Sequence, residues 1–144
     1  MRLVTWNACN GKFEAKARYL NHLHADVAVI QDIARPKESY PPNVVWFGED
    51  PNQGVAVVTR APYVPKLMTQ HDNLPKYVVP VEIEGPQPFL LFAVWTLGEK
   101  PYPYVQAVSK AIESYESVCD GRDVVMMGDF NSNAIALGRN LRCR

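Results

Sequence analysis

A single α/β domain built on a mixed sheet is the fold class this sequence predicts, and three observations carry the prediction. Apolar runs of strand length alternate with amphipathic stretches, the chain opens in β-α-β order, and Pro and Gly fall mostly between the runs as punctuation. At 144 residues, 47% hydrophobic and 10% aromatic, the chain is long enough for one core and has ordinary globular composition. One domain spanning 1–144 is expected.

Leu3 to Trp6 forms a short β-like run that stops in the polar turn Asn7-Ala8-Cys9-Asn10-Gly11. From Lys12 to about His24, Phe13, Ala17, Leu20 and His24 recur at three and four, which predicts one amphipathic helix. Asp26 to Ile30 is a compact apolar run that delivers Gln31-Asp32 at its end, so a parallel strand pair with a helical crossover is expected. After the Pro-rich segment Arg35 to Pro42, Val44 to Phe47 and Val55 to Thr59 read as a hairpin with a longer loop from Gly48 to Gly54. Pro62 to Pro75 is expected to be irregular. Tyr77 to Ile83 reads as a strand that Pro80 confines to an edge or a bulge. Phe89 to Thr96 is apolar on both faces and is expected to lie centrally, covered on both sides. A helix is predicted from about Tyr104 to Cys119, with Val105, Val108, Ile112, Tyr115 and Val118 on its apolar side. The last strand is Asp123 to Met127.

Charge and cysteine usage narrow the function classes. Fifteen Lys and Arg balance fifteen Asp and Glu, so no overall field draws the chain to nucleic acid or anionic membrane, and any polyanion recognition must be local. Cys9, Cys119 and Cys143 are widely spaced without a C-x-x-C pair, which argues against a disulfide framework and against zinc. A reducing cytoplasm is the expected location. The amino terminus reaches polar Asn7 too soon for a signal-peptide core, and no apolar run approaches the roughly 20 residues of a membrane helix. No G-x-S-x-G, G-x-G-x-x-G or G-x-x-x-x-G-K occurs. His22, His24 and His71 have no metal-binding spacing, and Arg139, Arg142 and Arg144 read as a solvated face.

Three polar points fall at the carboxyl ends of predicted strands: Asn7, Gln31-Asp32, and Asp129 with Asn131 after the run Val124 to Met127. Open α/β sheets bind ligands at that edge, and Gly128 frees the backbone there. Asp or Asn after a strand is by itself an ordinary turn residue. Jointly the positions suit phosphoester chemistry. A hard cation such as Mg²⁺ takes oxygen ligands and keeps waters for phosphate to displace, which Asp32 and Asn7 could provide. A second carboxylate, Asp129, could orient or deprotonate the attacking water, with Asn131 holding the geometry. Thr96 could donate a hydrogen bond to the substrate, and Trp95 could stack on it, although a core Trp is the simpler reading.

The blocks Val4 to Asn7, Asp26 to Asp32, Gln53 to Arg60 and Gly128-Asp129-Phe130-Asn131 resemble, in order and approximate spacing, those of the endonuclease/exonuclease/phosphatase superfamily, the deoxyribonuclease I-like fold. The resemblance covers nearly the whole chain. It implies an α/β sandwich, Mg²⁺ or Mn²⁺ as cofactor, and hydrolysis of a phosphoester substrate, nucleic acid among the candidates. Asn7 and Asp32 resemble the metal-site pair, and Asp129 and Asn131 the water-orienting aspartate and its supporting asparagine. Asp32 stands where the family usually has Glu, and Ala93 to Leu97 lacks the His or Tyr often presented toward the phosphate. The closing Asp-His block has no match in the thirteen residues after Asn131. A domain truncated of its closing strands is therefore expected, with self-association through the incomplete sheet. The alternative expectation is a catalytically silent member that binds metal or a partner.

Overall fold

The computed structural model describes residues 1–37, 43–69 and 74–132. Pro41, Pro42, His71, Arg139, Arg142, Cys143 and Arg144 lie outside the described residues. The elements are β1 (Leu3–Asn7), α1 (Phe13–Ala17), α2 (Leu20–Leu23), β2 (Val27–Gln31), β3 (Val44–Asp50), β4 (Gln53–Thr59), β5 (Val64–Leu67), β6 (Val78–Glu84), β7 (Phe89–Trp95), α3 (Val105–Ser114), α4 (Glu116–Cys119) and β8 (Val124–Asp129).

They form two mixed four-stranded sheets, in the orders β1-β2-β4-β3 and β5-β6-β7-β8. β1 pairs with β2 in parallel and β7 with β8 in parallel, while the other neighbours are antiparallel. Strand alternation explains how the layers meet. Val27 and Val29 of β2 and Val55 and Val57 of β4 face Val79, Val81 and Ile83 of β6 and Leu91, Ala93 and Trp95 of β7 in the largest buried cluster. The intervening residues of the first sheet, among them Ala28, Ile30 and Ala56, pack with Phe13 and Leu20 from the α1–α2 segment. Those of the second sheet, including Leu90, Phe92 and Val94, pack with Ala107, Val108, Ala111 and Tyr115. β7 is buried along its whole length because both its faces are covered. At about 1.5–3 kcal/mol for each fully buried Val, Leu or Phe, burial between and outside the sheets dominates the energetics over the surface ion pairs.

Several elements differ from the sequence expectation for identifiable reasons. The single first helix is two short ones, joined by tight turns in which Tyr19 N–H donates to Lys16 O and His22 N–H to Tyr19 O. The Tyr104 to Cys119 helix divides at Tyr115, whose side chain is buried on the second sheet. Small Ala107 and Ala111 set the face that packs there, and Val105 and Ile112 are exposed. The hairpin loop is shorter than expected, because β3 runs to Asp50 and β4 starts at Gln53.

The stretch expected to be irregular contains β5, an edge strand held by its pairing to β6. β6 is consequently an interior strand despite Pro80. The Pro80 carbonyl accepts Met68 N–H at 3.1 Å, so its backbone polar side faces β5 just beyond the last β5 residue, Leu67. A residue's N–H and C=O point to the same side in an antiparallel pair, so the missing Pro N–H forfeits only the reciprocal bond to Met68, past the end of β5, and none to β7.

Candidate active site

β1 and β2 run in parallel, and so do β7 and β8, which brings Asn7, Gln31-Asp32 and Asp129 to strand carboxyl ends. Asn7 pairs in register with Gln31, and Asp129 with Trp95. β8 packs against β1 and β2 across the gap between the sheets. There the Asn7 amide Nδ2 donates to Asp129 Oδ2 at 2.7 Å, joining residues 122 positions apart and tying the first sheet to the second. Cys9 N–H donates to Asn7 Oδ1 at 2.9 Å, which orients the Asn7 amide.

The other Asp129 oxygen, Oδ1, accepts the Asn131 backbone N–H at 2.9 Å. The Asn131 side-chain amide in turn donates to the Thr96 carbonyl at 2.8 Å. Thr96, expected to donate to substrate, instead donates its hydroxyl hydrogen to the Phe130 carbonyl and is buried. Its backbone N–H donates to Asp129 O at 3.0 Å. Thr96 and Asn131 thus clamp the 129–131 turn from two sides. A carboxylate accepts about four hydrogen bonds, so Asp129, half-buried and holding two from protein, keeps capacity for a water.

Asp32 is half-buried in the neighbouring loop, where its Oδ1 accepts Gln53 Nε2 at 3.1 Å and its backbone carbonyl accepts Asn10 N–H at 3.0 Å. Its Oδ2 is engaged by no described residue. Gln53 was not singled out from sequence. It reaches Asp32 because the antiparallel β2–β4 pairing, a tertiary fact, places the start of β4 beside the end of β2.

Beneath Asn7, Gln31 is buried and donates from Nε2 to Thr5 Oγ1 at 2.9 Å and to Val29 O at 3.2 Å. Its Oε1 has no partner among the described residues.

Backbone strain gathers here too. Cys9, Asn10, Asp32 and Asn131 all have positive φ, between 45° and 64°. Such conformations cost of order 1–3 kcal/mol each and cluster at functional sites.

Trp95 is only 6% exposed and packs its ring on Tyr77 with centroids 5.1 Å apart, as a member of the inter-sheet core. It also lines, with Thr96, a cavity of about 270 Å³. Desolvation raises the Tyr77 hydroxyl above its ordinary 10.0. Elsewhere His22 and His24 are exposed, and Cys9 and Cys119 are free thiols. Among the described residues no three His, Cys, Asp or Glu side chains gather as a metal cluster. No described helix is long and apolar enough to cross a membrane.

Solved structures share this arrangement of strands. The endonuclease domain of TRAS1, a telomere-specific non-LTR retrotransposon, superposes with a TM-score of 0.57 over 82% of this chain at 16% identity. The chain shares the fold of an endonuclease domain. A functionally unknown conserved protein from Enterococcus faecalis V583 superposes over 94% of this chain and 68% of its own length, with a TM-score of 0.62 and 12% identity. The chain spans about half (54%) of the TRAS1 domain. No family model and no curated protein matches the sequence.

Proposed function

We propose that this chain is a divalent-cation-dependent phosphoesterase of the deoxyribonuclease I-like type, in which Asp129 holds the attacking water. The observation that carries the reading is the hydrogen bond from Asn7 to Asp129, which brings the first and last of the three strand-end polar points together. The fold shared with an endonuclease domain supports it, as does the helix, sheet, sheet, helix order of the packing.

The donor set fits a hard cation. Asp32 keeps Oδ2 clear of described partners, and the Asn7 amide oxygen has a second lone pair beyond the one Cys9 uses. Asn7 and Asp32 would hold Mg²⁺ or Mn²⁺, which supplies Lewis-acid polarisation of a phosphate oxygen when bound.

The chain's own residues do the rest. Asp129 accepts a proton of the water as its oxygen forms a bond to phosphorus. The ester P–O bond breaks, and the leaving oxygen takes a proton from solvent. Asn7 and Asn131 fix the carboxylate from its two sides, so that the water is aligned before reaction. Thr96 holds the turn that carries Asp129, and Trp95 supports the wall beside it.

The test is Mg²⁺-dependent hydrolysis of bis(p-nitrophenyl) phosphate by wild type and by Asp129→Ala. A wild-type rate equal to that of the variant would sink the proposal. A second reading, a silent cation-binding member of the fold, is favoured by the double occupation of the Asp129 carboxylate. Calorimetry separates the two: Mg²⁺ or Mn²⁺ binding without turnover supports the silent reading.

A further inference from the structure

The cavity beside the candidate active site has a composition that speaks to substrate class. It opens at the carboxyl end of β7 and is lined by Tyr77, Trp95 and Tyr102, with Glu99 and Lys100 at its rim and Thr96 in its wall. Its volume of about 270 Å³ is just below the range of drug-sized ligand pockets and suits a group of ring size.

Two links make it part of the same site. Trp95 is the register partner of Asp129, and Thr96 is bonded to both Phe130 and Asn131. A phosphoester placed at Asp129 can therefore pass over the end of β7 and lower its organic group between Tyr77 and Tyr102.

Resting on the phosphoesterase reading, we propose that this cavity is the subsite for a heteroaromatic ring, so that the substrate is a nucleoside phosphoester rather than a choline or inositol phosphoester. Half-buried Tyr77 and Tyr102 offer stacking surface, which a planar ring uses fully, and the buried Trp95 backs Tyr77 from behind. The rim supplies both a donor, the Lys100 ammonium, and an acceptor, the Glu99 carboxylate. A heteroaromatic edge carries matching acceptors and donors.

Two other common phosphoester headgroups fit less well. Choline is recognised by aromatic cages that leave its cationic charge uncontested. Here Lys76 and Lys100 both line the cavity, and Lys76 is already matched by Glu49, so the rim does not attract a cation. Inositol carries hydroxyls around its whole ring, each needing a partner, whereas most of these walls are apolar side chains.

Calorimetric titration without divalent cation tests the assignment, using adenosine, adenosine monophosphate, phosphocholine and inositol monophosphate. The wild-type chain is expected to bind adenosine and its monophosphate in preference to the other two. Tyr102→Ala weakens adenosine roughly tenfold or more, while Tyr102→Phe and Asp129→Ala retain it. Preference for phosphocholine or inositol monophosphate, absence of adenosine binding, or equal binding by wild type and Tyr102→Ala would each overturn the subsite. Adenosine has no phosphate to hydrolyse, so its binding is scored independently of turnover. Adenosine binding without hydrolysis refutes the phosphoesterase reading alone, and hydrolysis without adenosine binding refutes the subsite alone.

Discussion

Replacing Gly128 with Ala probes the closest approach between the strands that deliver Asp129. Gly128 has φ of +150° and stands opposite Val94 in the parallel β7–β8 pair, where an added Cβ would run into the Val94 backbone carbonyl. Backbone strain in that region of φ costs of order 1–3 kcal/mol for a residue other than Gly. Forcing a methyl into a packed strand contact costs roughly another 1–3 kcal/mol. Together the substitution should destabilise by about 2–6 kcal/mol, a large part of a typical domain's stability. Gly121→Ala is the internal control. Its φ of +68° is also left-handed, but a Cβ there meets nothing within 4 Å. Only the backbone term applies, about 1 kcal/mol. Urea unfolding followed by circular dichroism measures both. A Gly128→Ala variant no less stable than Gly121→Ala would refute the reasoning, since it would mean that β7 and β8 do not meet as described.

Other expectations follow from the same structure. The Asp26 carboxylate accepts the Arg2 backbone N–H and the Arg60 guanidinium, both at 2.6 Å, and these hold its pKa below the ordinary 3.8. A depressed folded-state value stabilises the fold above 3.8 and loses that contribution as pH falls through the folded value. The stability deficit of Asp26→Asn should therefore be evident at neutral pH and shrink by about pH 3, and a deficit independent of pH would contradict the pairing. Gln31→Met removes a buried acceptor that has no described partner, while its lost donor bonds end on exposed Thr5 and on Val29. Thermal melts should show stability within about 1 kcal/mol of wild type, and a loss beyond about 2 kcal/mol would mean that Oε1 is satisfied in solution. Leu91→Ala, at a fully buried site between the sheets, should cost about 2–5 kcal/mol by urea unfolding. The same change at exposed Leu23 should cost under about 1 kcal/mol, and similar losses at both positions would argue against the inter-sheet core.

What could be read from sequence was what local pattern encodes. Phe89 to Trp95 announced a strand covered on both faces because every side chain in it is apolar, and the β-α-β opening followed from two apolar runs around an amphipathic one. The edge strand Val64-Pro65-Lys66-Leu67 was hidden, because its pairing with β6 is a tertiary fact and two of its four residues are poor strand formers. Pro80 misled for a related reason: its harmlessness depends on where the neighbouring strand ends. Helical periodicity put Tyr115 on the apolar side, where it is buried, but could not show that the helix divides there.

The candidate site divides the same way. Asn7, Asp32 and Asp129 were visible as polar residues closing apolar runs; parallel pairing sets Asn7 and Asp129 at strand carboxyl ends, and a hydrogen bond joins the two across the sheets. Gln53 on Asp32 and the Thr96 hydroxyl on Phe130 depend on which strands become neighbours and on side-chain geometry, which no spacing encodes.

Hydrolysis of a phosphodiester in water labelled with heavy oxygen, with Mg²⁺ present, tests the role of Asp129 most directly. Wild type is expected to place one labelled oxygen in the product phosphate per bond broken, and Asp129→Ala to lose this turnover. Unlabelled product from wild type, or labelled product at the same rate from Asp129→Ala, would contradict that role.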